Sequence, residues 1–132
     1  ITKKNPFKKK SNTSLLTRMN HCKKIIGKLK FIKVKFYEDK IGSNKTINLI
    51  KYFTKNKRNE IYFLMGADNL INFHKWHKWK RISHKCNIIV FDRHGYKKKS
   101  LNSMTFKQLN KKNLKFIEFE KVNISSSQLR KI

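Results

Sequence analysis

The stretch FLMGADNLINFHKWHKW, residues 63–79, constrains the fold more than any other part of the chain. An apolar run, Ile61 to Met65, stops at Gly66 and is followed closely by the acidic Asp68. Apolar and aromatic side chains then recur as far as Trp79 at a spacing typical of a helix. Open α/β sheets bind ligands where a strand ends in such a turn. The stretch therefore predicts an α/β fold with a binding site at this strand end.

The rest of the chain predicts alternating strands and helices. Ile61 to Met65 is predicted to be a buried strand, and further strands are predicted over residues 31–37, 87–91 and 114–119. Helices are predicted over residues 14–29, 46–53, 76–83 and 104–109, with a loop over 96–103. Because strands are separated by helical segments, we expect a mainly parallel sheet with helices on both faces, in a single domain covering residues 1–132.

The chain is extremely basic. It has 132 residues, with 34 Lys and Arg against 7 Asp and Glu, and a formal net charge of +27. Such a charge attracts phosphates, whether in nucleotides, RNA or lipid headgroups. The basic residues are spread along the whole chain, so solvated faces shaped by codon bias are the preferred explanation. Charge alone therefore does not select a ligand.

The remaining global features predict a cytoplasmic protein that does not bind membranes. The two cysteines, Cys22 and Cys86, lie far apart and form no disulfide framework, which fits a reducing compartment. No run is long enough to span a membrane, and no signal peptide is visible. The chain opens on Ile1, followed by Thr2 and two lysines, like the end of a strand whose beginning is absent. We therefore expect it to be a fragment.

Two residues of the opening stretch are candidates for ligand contacts. Asp68 is placed to orient a ribose, a base or a metal, but an acid at this position can equally cap the helix. Trp76 lies close enough to the strand end to stack on a flat ring, whereas Trp79 is predicted to be core. Trp76 and Trp79 are one helical turn apart, so a continuous helix would put them on one face.

Two later segments are candidates for phosphate contacts. Arg93 follows the strand over residues 87–91 and is either a phosphate ligand or a surface arginine in a turn. Ser125, Ser126 and Ser127 precede Arg130 at a predicted helix N-terminus. Hydroxyls, free backbone N–H groups and an arginine one turn later suit a phosphate, although an ordinary serine cap gives the same pattern.

The histidines do not predict a metal site. His74, His77, His84 and Cys86 are grouped in sequence, but their spacing matches no compact zinc pattern and lysines separate them. No metal ligands are therefore predicted.

Several motifs together resemble the bacterial nicotinate-nucleotide adenylyltransferases of NAD biosynthesis. The central one is Leu64 to Leu70 followed by Phe73-His74-Lys75-Trp76, similar to the family's MGADNL and FHRW. Ile124 to Arg130 is similar to its terminal ISSTxxR. Weaker matches are Asn5 to Lys8 with an NPxK loop, Arg93 to Tyr96 with an RPGY turn, and Ile41 to Ile47 with a segment ending in Tyr-Thr. The order and spacing of these segments agree with the family over nearly the whole chain.

The resemblance implies a function, a fold and a set of site residues. The implied reaction is adenylyl transfer from ATP to nicotinate mononucleotide with Mg²⁺, giving deamido-NAD and pyrophosphate. The implied fold is a Rossmann-like nucleotidyltransferase domain. Nicotinate mononucleotide would contact Asn5, Lys8, Thr46, Gly66, Ala67, Asp68 and Trp76, with Trp76 stacked on the pyridine ring and Thr46 near the ring carboxylate. ATP would contact Ser125, Ser126 and Arg130, with Arg93 a weaker candidate.

This sequence departs from the family pattern in two respects. The family's GxFxPxHxGH motif, which carries its catalytic histidines, does not occur in the chain. We therefore expect the first strand-helix unit to be missing, the catalytic residues to lie outside the chain, and the chain alone to be inactive. Lys45 stands where the family usually has tyrosine, and Asn48 where an acidic residue is common.

Two other functions are compatible with the residues. A small basic RNA-binding protein would explain the charge interleaved with aromatics, but no RNA-binding motif is present, so no nucleic-acid partner is expected. A related nucleotidyltransferase with another acceptor, such as nicotinamide mononucleotide, would share the fold and most of the motifs.

Overall fold

The computed structural model describes residues 1–4 and 13–120. Its internal contacts divide the chain into two compact units, residues 1–52 and 53–132, with the boundary inside the last turns of a helix. Each unit is described separately. Within the described ranges, no helix is both long and apolar enough to cross a membrane.

The first helix of the first unit confirms the sequence prediction. Helix α1 spans Leu15–Ile26, and the hydroxyl of Ser14 caps it by accepting a hydrogen bond from the backbone N–H of Thr17 at 3.1 Å. Gly27 ends the helix with φ at 54°, a left-handed value that favours glycine. The serine and the glycine that predicted the two ends of this helix are therefore the residues at which it begins and ends.

The predicted strand over residues 31–37 is wrong. These residues form no strand, and the described strands pair only with one another. The backbone carbonyl of Lys35 instead accepts a hydrogen bond from the backbone nitrogen of Ile1 at 2.9 Å. Alternating apolar residues describe a face for burial, but a strand also needs a partner for its backbone groups.

The first unit has two more helices among its described residues. Helix α2, Glu38–Ile41, is a single turn that ends at Gly42 in the left-handed region. Helix α3 spans Thr46–Thr54 and confirms the helix predicted over residues 46–53. Ile47 and Ile50 are buried on it, three residues apart on one face.

The second unit is built on a parallel sheet, as predicted. Its strands are β1 (Tyr62–Gly66), β2 (Asn87–Phe91) and β3 (Leu114–Ile117), which pair side by side in that order. Gly66 pairs with Phe91, and Phe91 pairs with Ile117, so the carboxyl ends of all three strands lie at one edge. That edge is where ligands bind in sheets of this kind.

Strand β1 is buried on one face only, so the prediction of a fully buried strand is wrong. Met65 is buried, whereas Tyr62 and Leu64 are 53% and 57% exposed. β1 is an outer strand of the described sheet and pairs only with β2 there. A continuous apolar run is compatible with burial on one face or on two, and the sequence does not distinguish them.

The helix predicted over residues 76–83 begins later, because the chain turns at Trp76. After β1 come helix α4 (Ala67–Asn72), a 3₁₀ turn (Phe73–Lys75) and helix α5 (Trp79–Lys85). Trp76 is extended and Lys78 is left-handed, with φ at 53°. Trp76 and Trp79 therefore do not share the face of one helix. The core position predicted for Trp79 belongs to Phe73, which is fully buried, while Trp79 is half-buried.

After β2 the chain is more helical than predicted. The expected loop over residues 96–103 contains helix α6, Lys97–Leu101. Its lysines have good helix propensity. The segment lacks the regular spacing of apolar residues by which a helix is recognised in a sequence, so it was not predicted. Helix α7, Met104–Gln108, confirms the prediction over residues 104–109, and the hydroxyl of Ser103 caps it by accepting from Phe106 N at 3.1 Å. The helix N-terminus predicted at Ser125 to Ser127 lies outside the described residues.

Leu70 and Leu64 provide a matched test of this burial pattern. Leu70 is fully buried on α4, whereas Leu64 is 57% exposed on β1. We expect Leu70→Ala to lower the free energy of unfolding by about 2–5 kcal/mol, because it leaves a cavity. Leu64→Ala should change it by less than about 1 kcal/mol. Urea unfolding of both variants measures the difference. Equal losses of unfolding free energy would contradict the exposure of Leu64 on β1.

The two thiols should differ sharply in reactivity. Both are free, Cys22 half-buried and Cys86 buried, and burial raises the pKa of the Cys86 thiol to about 11. Because the thiolate is the reactive form, folded Cys86 should resist alkylation up to a pH of about 11, whereas unfolded Cys86 reacts from about pH 9. Timed alkylation of Cys22→Ser at pH 9, with and without urea, tests this. Rapid labelling of the folded variant would contradict the packing around Cys86.

Candidate functional site

The sheet register brings two oppositely charged residues to the same place. Gly66 and Phe91 are paired at the ends of β1 and β2. Asp68 and Arg93 each follow two residues later, so they leave the same edge of the sheet at equal offsets. Arg93 Nη1 donates a hydrogen bond to Asp68 Oδ2, and the two side chains form an ion pair. The first feature of the site is thus a carboxylate and a guanidinium held together at the strand ends.

Asp68 does not cap helix α4. The cap position is Gly66, and no side-chain hydrogen bond closes the start of the helix. Of the two roles that the sequence left open for Asp68, capping is therefore not the one in the structure. Its carboxylate is directed to Arg93, a pairing that the sequence prediction missed.

Gly66 makes room for that carboxylate. A Cβ atom on Gly66 would lie 2.5 Å from Asp68 Oδ1, closer than real Cβ atoms approach other atoms. The backbone of Gly66 is ordinary extended chain, with φ at −81°. A side chain at this position would have to displace the Asp68 carboxylate, so the constraint on Gly66 comes from the space that Asp68 occupies and not from an unusual backbone angle.

Arg93 is also held by two residues that the sequence prediction did not single out. Its backbone N–H donates to Asp92 Oδ1 at 2.7 Å, and Asp92 is only 3% exposed. Its guanidinium carbon lies 5.8 Å from the centre of the Tyr96 ring, within cation–π range. The signal in the sequence for Asp92 was an acidic residue directly after a predicted strand. Nothing in the spacing identified the packing of Tyr96 on Arg93.

Trp76 belongs to an aromatic cluster that includes Phe63 of strand β1. Its ring makes edge contacts with Phe63 at 5.8 Å and Phe73 at 5.4 Å between ring centres. Trp76 is half-buried, so part of its indole remains accessible. Edge packing on Phe63 and Phe73 restrains the indole and is compatible with stacking a flat ring on its accessible part.

Thr46 lies in the first unit, at the start of α3. It lines a pocket together with Lys45, Ser43 and Glu38. Glu38 Oε1 is buried and has no hydrogen-bond partner among the described residues. Polar and charged residues therefore line this pocket together with apolar ones such as Ile41 and Leu49.

The other predicted site residues are of two kinds. Ala67 is fully buried, backbone included, so no atom of it is exposed to a ligand in this structure. The remaining ones lie outside the described residues: Asn5, Lys8, Ser125, Ser126 and Arg130.

His74 connects two helices of the second unit. Its Nδ1 lies 3.0 Å from the carbonyl of Ile71 and 3.2 Å from the hydroxyl of Thr105, tying α4 to α7. Within residues 1–4 and 13–120, no three His, Cys, Asp or Glu side chains are grouped closely enough to hold a metal ion.

Comparison with known proteins first gives the class. A family model described as cytidylyltransferase-like matches residues 1–132, the whole chain. The parallel sheet and the residues at its strand ends agree with a nucleotidyltransferase of this class.

Curated relatives then give the family. A probable nicotinate-nucleotide adenylyltransferase from Pelagibacter ubique is 67% identical over all 132 residues, and the chain covers 73% of that protein. A protein of the same name from Agrobacterium fabrum is 38% identical over 97 residues, and the aligned part is 51% of its length. The chain belongs to the nicotinate-nucleotide adenylyltransferase family.

Solved structures share the fold. The Plasmodium falciparum nicotinic acid mononucleotide adenylyltransferase, solved with APC, superposes with a TM-score of 0.71 at 22% identity. This match covers 90% of this chain and 62% of the other. The same enzyme solved with NaAD gives a TM-score of 0.68. The predicted Rossmann-like nucleotidyltransferase fold is therefore confirmed.

The role assigned to Gly66 can be tested by a pair of substitutions. We expect Gly66→Ala to lower the free energy of unfolding by about 1 kcal/mol, since the new Cβ displaces the Asp68 carboxylate from Arg93. In an Asp68→Ala background the same change should be neutral or slightly stabilising, because the obstruction is gone. Urea unfolding of the four proteins gives the cycle. An equal loss in both backgrounds would show that Gly66 serves another purpose.

Proposed function

We propose that the full-length product of the gene encoding this chain transfers an adenylyl group from ATP to nicotinate mononucleotide. The products are deamido-NAD and pyrophosphate. The observation that carries the proposal is the 67% identity to the Pelagibacter ubique protein, which extends over every residue of the chain. The ion pair at the ends of β1 and β2 and the aromatic cluster of Phe63, Phe73 and Trp76 support it, because both substrates carry phosphates and flat rings.

The reaction needs positioning and charge stabilisation more than covalent participation by the protein. A phosphate oxygen of the mononucleotide attacks the α-phosphorus of ATP, and the bond to the pyrophosphate leaving group breaks in line. A protein accelerates such a transfer by aligning the two phosphates and balancing the charge that spreads over their oxygens. No residue of this chain is assigned to proton transfer.

The residues of the second unit have complementary parts in this proposal. Trp76 stacks on the pyridine ring, and the backbone after Gly66 shapes the pocket around it. Arg93 contacts phosphate oxygens on the ATP side. This division is supported by the half-buried indole and by a guanidinium whose side chain is 43% exposed.

The remaining roles follow from the family resemblance. Thr46 would donate its hydroxyl to the ring carboxylate, with Lys45 lining the same pocket. Asn5 and Lys8 are proposed for the mononucleotide phosphate, and the segment from Ser125 and Ser126 to Arg130 for ATP.

Mg²⁺ is proposed to enter with ATP. Asp68 is engaged with Arg93, and the described residues contain no cluster of metal ligands, so they do not form a protein-held site for Mg²⁺. ATP phosphates and water supply the oxygen ligands that Mg²⁺ prefers. The proposal also places the protein in the cytoplasm, as one domain, with ATP and nicotinate mononucleotide as its partners.

Product formation tests the proposal directly. We expect the full-length gene product with ATP and nicotinate mononucleotide to release pyrophosphate and form deamido-NAD, and to use nicotinamide mononucleotide less well. We expect the 132-residue chain alone to be inactive. Preference for the amide would identify a related nucleotidyltransferase. Absence of turnover, together with salt-sensitive RNA binding that excess mononucleotide does not affect, would favour an RNA-binding protein.

Substitution of Trp76 tests the stacking role. We expect Trp76→Ala to raise KM for nicotinate mononucleotide by about 5- to 100-fold, the range expected for loss of a base–aromatic stack. Trp76→Phe should recover most of the affinity, because a flat ring is restored. Trp79→Phe is the matched control and should leave KM unchanged. If Trp76→Ala raises only KM for ATP, the mononucleotide does not stack there.

A further inference from the structure

The ion pair at the strand ends changes what Asp68 can do. An acid beside a nucleotide site is ordinarily expected to accept hydrogen bonds from a ribose or to bind a metal. Here its Oδ2 atom already accepts from Arg93 Nη1, and its Oδ1 atom lies against Gly66. The side chain of Asp68 is only 24% exposed, less than that of Arg93. Most of this carboxylate therefore faces the protein.

Arg93, in contrast, is fixed at several points and still accessible. Asp92 holds its backbone N–H, Tyr96 lies against its guanidinium, and Asp68 binds one of its terminal nitrogens. A guanidinium has five N–H donors, and only Nη1 donates to an acceptor within the described residues. The side chain is 43% exposed, so its other donors remain available to an anion.

We infer that Asp68 is a positioning residue, which orients the Arg93 guanidinium toward a phosphate of ATP and does not itself bind the mononucleotide. This inference rests on the proposed function. A partly exposed ion pair adds little to stability, so its contribution lies in fixing the arginine before the ligand arrives. Immobilising one long side chain in advance improves binding by about two- to tenfold.

Steady-state kinetics of the full-length gene product distinguish this role from direct binding. The proteins compared are the unmutated enzyme, Asp68→Asn, Arg93→Ala and the double variant. We expect Arg93→Ala and Asp68→Asn each to raise KM for ATP by about three- to tenfold, with kcat within about twofold and KM for nicotinate mononucleotide unchanged. The double variant should have the same KM for ATP as Arg93→Ala, because both substitutions remove the same oriented guanidinium.

Two further variants serve as controls. In the same unit, Lys97 Nζ and Glu118 Oε1 are 2.6 Å apart and form an exposed ion pair. Glu118→Gln breaks this pair and should leave both KM values unchanged. Arg93→Lys keeps the positive charge but loses the planar fork, and should recover only part of the affinity for ATP. It also tests the inference if Asp68→Asn does not fold.

Two kinetic results would overturn the inference. The first is that Asp68→Asn raises KM for nicotinate mononucleotide and leaves KM for ATP unchanged, which would make Asp68 a direct ligand. The second is that the effects of Asp68→Asn and Arg93→Ala multiply in the double variant. For Arg93→Lys, full recovery of ATP affinity would show that the orientation of the guanidinium does not matter.

Calorimetric titration with ATP separates this inference from the proposed function. If the enzyme forms no deamido-NAD but Asp68→Asn weakens ATP binding as much as Arg93→Ala does, the proposed function fails and the positioning role stands. If the enzyme is active and Asp68→Asn binds ATP normally, the positioning role fails alone. If the unmutated protein does not bind ATP, both fail.

Discussion

Parallel pairing of β1 with β2 is the constraint on which the site depends. The register places Gly66 beside Phe91, and the two chains leave the sheet at the same edge. Asp68 and Arg93 are neighbours because each lies two residues beyond a paired strand end. A shift of the register by one residue would separate the charges and move every side chain of β1 to the opposite face. Backbone hydrogen bonds therefore determine which side chains meet at the site.

The same pairing explains why Gly66 matters. In the sequence, a glycine after a strand suggests that a ligand approaches the backbone. In the structure, the space beside Gly66 holds the carboxylate of Asp68, and that carboxylate is the link to Arg93. The glycine therefore acts on the site through the packing of its own neighbour.

Much of the second unit could be predicted from the sequence. The three strands and helix α7 have clear apolar patterns, and their positions are confirmed to within two residues. The ion pair was missed because it depends on register, which joins residues far apart in the chain. The pattern contained the necessary signal: opposite charges at equal offsets after two neighbouring parallel strands.

Other misses have local physical causes. The turn at Trp76 requires Lys78 in the left-handed region, which no propensity rule predicts for lysine. Phe73 takes the buried position because its ring makes edge contacts with both Trp76 and Trp79. Residues 31–37 have the pattern of a strand, but no neighbouring strand pairs with them in the part of the chain that the structure describes. Periodicity indicates which residues can be buried, and packing decides which of them are.

The central claim is that the ends of β1 and β2 form a site for two nucleotides. A crystal structure of the full-length gene product with deamido-NAD bound tests it most directly. The account predicts the pyridine ring stacked on Trp76, with Arg93 close to a phosphate oxygen and still paired with Asp68. A dinucleotide bound away from both strand ends, or an Arg93 that has left Asp68 to bind elsewhere, would contradict it.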